Sequence, residues 1–235
     1  MRRALIVPCA LAVMFGVLVA CGEDEPSNPI RTIEPQRTAS SPSPDPEAAR
    51  NSAGCQLLTA KDRRSMAGES LETVKPMPLI DGILLCQWVK TLTTPKTTSI
   101  KVISQPAQVW AQRNVPKQVN RFIATGRSGD KLTDRLLAAK KEISGGAAEV
   151  GGAEACGMFS LLVEANNKKR KGLTQDLQFQ GTTSGDFTVA WQKCTKGVHT
   201  ELSYAEPGLQ PSLAVSQSVI RLGNLAHRRA VDILQ

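Results

Sequence analysis

The rhythm of apolar and polar positions changes three times along the chain. Ala4 to Val19 carries no charge, is rich in Leu, Ile, Val, Met and Phe, and follows Arg2-Arg3. Such a stretch is long enough for an export signal and falls short of the ~20 residues that span a bilayer. Residues 22–54 hold six prolines and five serines with almost nothing to bury. That composition cannot offset the entropy of ordering and predicts a disordered tether with a reach of roughly 30 Å.

Regular periods begin at residue 55. Thr59 with Asp62 three residues on predicts a helix start, and Gly68 its end. Ile83 to Leu92 and Thr98 to Ser104 predict a strand pair around a turn at Pro95. Pro106 to Thr125 predicts a helix broken at Pro116, and Asp130 to Ile143 an exposed helix that frays near Lys140-Lys141 and Gly145-Gly146. Four strands are expected next, around Met158–Ala165, Leu173–Gln180, Phe187–Cys194 and Val198–Ala205. A closing helix from Ser212 places Leu213, Val219, Ile220, Ala226 and Ile233 on one face. The fold class predicted is α+β, an antiparallel sheet with helices packed on one face. Leu85-Cys86-Gln87-Trp88 is echoed by Trp191-Gln192-Lys193-Cys194, so two similar halves, about 55–145 and 146–235, are one reading of the single domain 55–235.

Leu18-Val19-Ala20-Cys21 resembles the bacterial lipobox, in which small residues precede a cysteine whose thiol takes diacylglycerol before the peptidase cuts in front of it. The resemblance implies a signal peptide over 1–20, a lipidated Cys21 leading the tether 21–54, and a location on the outer face of the cell membrane. Two acyl chains anchor far more durably than one. The remaining cysteines, Cys55, Cys86, Cys156 and Cys194, are even in number, which in an exported chain predicts two disulfides. Three pairings are open. Cys55–Cys86 with Cys156–Cys194 is favoured because each pair brackets one half with a loop of similar length, and each bridge would stabilise by about 3–4 kcal/mol. Zinc is not expected, since no two cysteines lie at ligand spacing and the histidines are only His199 and His227.

Charge sharpens this division. The whole chain carries +8. Without Arg2 and Arg3, and setting aside the six acids and three bases of residues 22–54, the domain carries about +9, a basic body on an acidic tether. Its densest cluster is Lys168-Lys169-Arg170-Lys171, expected on a turn between strands and able to meet an anionic partner. Nucleic acid is not an expected partner, because no aromatic residues interleave with those cations.

Gly54-Cys55-Gln56-Leu57-Leu58-Thr59, then Cys86-Gln87-Trp88, together with the lipobox and the Pro/Ser tether, resemble a family of actinobacterial secreted lipoproteins of unknown function. The resemblance covers mainly residues 1–105. It implies a short helix at the first cysteine, the second cysteine in the first strand, and hence a Cys55–Cys86 bridge. It supplies no reaction.

Chemistry is hard to find in the rest of the sequence. Gly126-Arg127-Ser128-Gly129 has the wrong frame for a nucleophile elbow. His199 and His227 have no nucleophile nearby in sequence, and Glu149, Glu154, Glu164, Asp176 and Asp186 show no pairing. No phosphate loop or cofactor fingerprint appears, so no catalytic residue, metal or cofactor is expected. The function expected is a non-enzymatic binding or accessory module at the cell envelope. Its partners would be the membrane, through the lipid anchor, and an anionic envelope polymer, a lipid or a membrane-protein ectodomain. A carrier of an apolar ligand is the alternative, to be told by a Leu/Val-lined cavity between sheet and helix; a cell-wall-active enzyme comes third.

Overall fold

Thr59 opens the first α-helix, α1 (Ala60–Ala67), by the reciprocal cap that its spacing predicts. Its hydroxyl accepts from the Asp62 amide, and the Asp62 carboxylate accepts from the Thr59 amide at 2.8 Å. Gly68 ends the helix at φ 74°, a left-handed conformation that glycine enters without a steric penalty. In this computed structural model the described residues are 52–75, 77, 80, 82–93, 96–125, 131–144, 150–167, 172–182 and 185–235. They fall within one compact unit. The lipobox with Cys21 and the basic cluster Lys168–Lys171 lie outside them.

The sheet has six strands: β1 (Thr73–Val74), β2 (Leu84–Val89), β3 (Ser99–Pro106), β4 (Gln175–Gly181), β5 (Phe187–Thr195) and β6 (Val198–Ala205). All pair antiparallel in the order β1-β2-β3-β6-β5-β4. The order reads symmetrically outward from the central β3–β6 pair. Four longer helices complete the α+β fold: α2 (Ala107–Ala124), α3 (Lys131–Ser144), α4 (Gly152–Asn167) and α5 (Leu213–Leu234). The β5–β6 hairpin turns on Lys196 and Gly197, both at positive φ, the pairing that suits a two-residue loop.

Five expectations need correction. Residues 158–165 are helical, in the middle of α4, not a strand. Met158, Phe159, Leu161, Leu162 and Val163 are all buried, so this helix is apolar on several sides, and an apolar run of that kind shows no helical period. The basic cluster therefore follows a helix rather than joining two strands. Pro116 does not break α2. Proline forfeits one backbone bond, but Trp110, Ala111, Val115, Val119 and Phe122 are buried on both sides of it and hold the helix together. The core face of α5 is Val219, Leu222, Gly223, Ala226, His227, Ala230 and Val231, while Leu213 is 74% exposed and Ile233 46%. Likewise, α3 is not merely exposed: Leu136 is fully buried, although Leu137 faces solvent.

Two cores result. In the first, α5, α1 and the 3₁₀ turn Ala53–Leu57 lie on one face of the sheet over Trp88, Ile100, Val102, Val189, Trp191, Leu202 and Tyr204. The second is a bundle of α2, α3 and α4, joined to the sheet through Cys194 and through His199, which stacks on Trp110 with ring centroids 4.5 Å apart. Both bridges form as favoured, Cys55–Cys86 and Cys156–Cys194. Cys86 and Trp88 are two residues apart and share the α5 face; Trp191 and Cys194 are three apart and point to opposite faces. The first bridge thus lies in the first core and the second in the helical bundle.

Close approach fixes both seams. Gly54 sits where a Cβ would come 2.4 Å from the Leu85 backbone, and Gly223 where one would come 2.3 Å from the Trp191 ring. Arg63 ties α1 to the loop on either side of it and to the sheet. Its guanidinium donates to the carbonyls of Leu58 and Ser70 and lies 5.0 Å from the Trp88 ring centroid. Arg229 of α5 donates to the Leu57 carbonyl and to Asp62, each at 2.8 Å. Burial alone would raise the Asp62 carboxyl; the hydrogen bonds from Arg229 and Thr59 outweigh it and hold the group below its ordinary range.

Adding one methyl at the tighter seam, Gly223→Ala, is expected to destabilise the protein by about 1–3 kcal/mol. Combining it with Trp191→Phe should recover part of that loss through coupling between the two positions. Urea unfolding midpoints of the two variants against wild type measure both; an unchanged Gly223→Ala midpoint would contradict the seam.

Candidate functional site

Strand alternation gives the sheet two unlike faces. Residues 100, 102, 104, 200, 202 and 204 are buried, Ile100, Val102, Leu202 and Tyr204 among them as part of the first core. The alternate positions Gln87, Ser99, Lys101, Thr188, Gln192, Glu201 and Ser203 lie on the opposite face and are half-buried. At the end of this second face remote from the Lys196–Gly197 hairpin lies a groove of about 620 Å³, within the ~300–1,000 Å³ of small-molecule sites.

Its floor is one row across four strands. Val89 pairs with Ser99, Ser99 with Ala205, and Ala205 with Thr188. Three of these four side chains, Ser99, Ala205 and Thr188, are small, so the row is a depression. One wall is the β2–β3 loop, where Thr91 and Thr93 hydroxyls lie 2.7 Å apart and Thr97 accepts from the Thr91 amide. The rim is fixed by Asp186: one carboxylate oxygen lies 3.4 Å from Lys96 Nζ, and the other accepts from the Gly208 amide at 3.0 Å. That carboxylate joins the β2–β3 loop, the β4–β5 turn and the β6–α5 loop. Glu206, also in the lining, accepts from the Tyr204 hydroxyl at 2.5 Å. Burial, and then this acid, pushes the Tyr204 phenol well above its usual range. Lys75 and Lys96 balance Asp186 and Glu206, so the lining has no net charge.

Further along the open face, Glu201 neighbours Lys101 diagonally across the β3–β6 pair. Desolvation raises the Glu201 carboxyl, and Lys101 partly offsets the rise.

Neither histidine lines this groove, and both are buried rather than exposed. His199 is 1% exposed, held between Trp110 and Phe159, and among the described residues neither ring nitrogen has a hydrogen-bond partner. Burial, and secondarily the charge of His227, lowers it to about 3. His227 lies between hydroxyls: Thr195 is 2.7 Å from Nε2 and Thr200 is 2.9 Å from Nδ1, with Ser104 donating onward to Thr200. A neutral imidazole satisfies both contacts with one donor and one acceptor. Burial, then Lys193 and Lys196, lowers it to about 4.

The acids are dispersed, with one pairing missed from sequence. Glu154 of α4 meets Glu142 of α3, and the hydrogen bond and charge of Glu154 raise the Glu142 carboxyl. Glu164 pairs with Arg135, Asp176 accepts from Gln178, and Glu149 lies outside the described residues, as does Gly126–Gly129. The groove has no signature in the sequence, because its floor comes from four strands that no local pattern assembles. No family model matches the chain, and neither a curated protein nor a solved structure matches it.

The two histidines make stability depend on pH. Each has a folded pKa below its unfolded value of about 6.5, so the unfolded chain binds more protons and stability is lost as pH falls from about 6.5 toward 4. At pH 5 the His199 share of this loss is on the order of 2 kcal/mol. His199→Phe keeps the stack on Trp110 and removes two unpaired nitrogens. It should unfold at higher urea than wild type at pH 5, with a smaller gain at pH 7; a gain equal at both pH values would contradict a neutral, buried His199.

Proposed function

We propose that this protein is a membrane-anchored extracytoplasmic lipoprotein that acts as a non-enzymatic binding module at the cell envelope, using the groove on the uncovered sheet face. The groove itself is the observation that carries this reading: a polar, charge-balanced depression framed by three loops that Asp186 ties together. The two disulfides support an oxidising, extracytoplasmic setting. The lipobox supplies the anchor and the tether the reach.

The carrier alternative needs space between the sheet and α5. That layer is filled by Trp88, Trp191, Tyr204, Ile100 and Val102, all essentially inaccessible to solvent. For the enzyme alternative, the groove's two carboxylates are engaged structurally, Asp186 with Lys96 and the Gly208 amide and Glu206 with the Tyr204 hydroxyl, and His199 and His227 are committed to packing and hydroxyl contacts elsewhere.

Anchoring is tested by labelled palmitate and membrane fractionation. Wild type is expected to take up label and sediment with membranes, and Cys21→Ala to do neither. A Cys21→Ala chain that stays membrane-bound, beside an unlabelled wild type, overturns the lipoprotein reading.

A further inference from the structure

We infer that the groove takes a neutral oligosaccharide of a few sugar units, a ligand class that rests on the binding-module reading above and narrows it. Three properties of the lining lead there. The first is hydroxyl and amide density without net charge. Ser99 and Thr188 project from the floor and Gln87 from beside it, with no side-chain hydrogen bond to another described residue, so their donors and acceptors are available to a ligand. The cations and acids cancel, and Lys96 with Asp186 is engaged in holding the rim. A polyanion would meet no excess positive charge here, and a purely apolar ligand would strip water from these polar groups without replacing their hydrogen bonds.

The second property is the absence of anything a peptide could pair with. The floor lies over β2, β3, β6 and β5, each of which has a paired neighbour on both sides. No strand edge is open within the groove, so an extended peptide has no backbone ladder to join. Recognition has to come from side chains, which suits a ligand that carries hydroxyls around its whole perimeter.

The third is apolar surface at the edge. Leu92 stands on the rim at 58% exposure, and Phe187 contributes to the same lining. A pyranose presents C–H groups on its ring faces and hydroxyls around its edge, and this pairing of apolar rim with hydroxyl floor matches both. The volume of about 620 Å³ accepts a short oligomer and leaves a longer polymer to run out over the rim.

The test is titration calorimetry of the full-length chain in detergent with maltotriose, cellotriose, mannotriose and chitotriose, alongside co-sedimentation with purified bacterial cell-wall sacculi. At least one neutral trisaccharide should bind with a Kd in the micromolar to millimolar range, and the affinity should change less than twofold between 50 and 500 mM salt. Ala205→Leu fills the floor from a position that faces the groove and should weaken binding at least tenfold. Thr188→Val removes one hydroxyl without changing shape and should weaken it severalfold. Both variants should keep the wild-type melting temperature, which separates lost binding from lost folding. If no trisaccharide binds at 10 mM but wild type sediments with sacculi and Ala205→Leu does not, the sugar class is wrong while the groove reading stands. If trisaccharides bind equally to Ala205→Leu, or Ala205→Leu sediments with sacculi as wild type does and no sugar binds, the groove is not the site and both readings fall.

Discussion

Helix α5 can lie flat on the sheet because Gly223 leaves room for the Trp191 ring against its backbone. Much else depends on that seating. It buries Val219, Leu222, Ala226 and Ala230 on the central strands and places His227 between Thr195 and Thr200. It also brings Arg229 to the Leu57 carbonyl and Asp62. With one face sealed by α5, α1 and the 3₁₀ turn, the sheet needs no second layer along its full length. The helical bundle covers the other face only near the Lys196–Gly197 turn, where α2 and α4 meet the hairpin. A Cβ on Gly152 would lie 2.8 Å from Gly197, and the Ala107 amide donates to the Gly197 carbonyl. The far end is left for loops and the groove.

Features set by neighbours in sequence were legible in it. The Thr59–Asp62 cap, the Gly68 stop, the β2–β3 pair, strands β5 and β6 and the start of α5 at Ser212 all arise from short-range chemistry, and the structure has them. The cysteine pairs followed from their bracketing of the two halves. Features set by distant partners were not. A strand reading of Met158–Ala165 rests on its dense apolar residues, and only the bundle around it explains why a helix can be apolar on so many sides. Leu213 and Ile233 fit the helical period of α5, yet the sheet ends before it reaches them. The floor of the groove combines residues 89, 99, 205 and 188, a neighbourhood completed only when the distant β3–β6 pair forms.

That pair also relates the two halves. Each half runs from a cysteine-bearing helical segment through three strands to a helix, and the strand order is symmetric about the centre. The faint echo between Cys86-Gln87-Trp88 and Trp191–Cys194 fits this arrangement, with one change of consequence. Moving the cysteine from two residues before the tryptophan to three after it transfers the bridge to the other face of the sheet. The two disulfides thus fasten different cores, while both tryptophans lie on the α5 side.

The order in which the ribosome delivers these parts differs from the order in which they can be completed. The 3₁₀ turn, α1 and the β2–β3 hairpin emerge early, but the layer that shields their apolar side chains is α5, the last 22-residue helix of the chain. Until residues 213–234 arrive, Trp88, Ile100 and Val102 are covered only by α1 and the 3₁₀ turn, and the central β3–β6 contact spans roughly a hundred residues of sequence. Topology of this kind folds slowly, because distant segments must meet before burial rewards them. The nascent chain therefore carries an unfinished apolar surface until α5 has been made, and a chain without that helix would leave the N-terminal half without its lid.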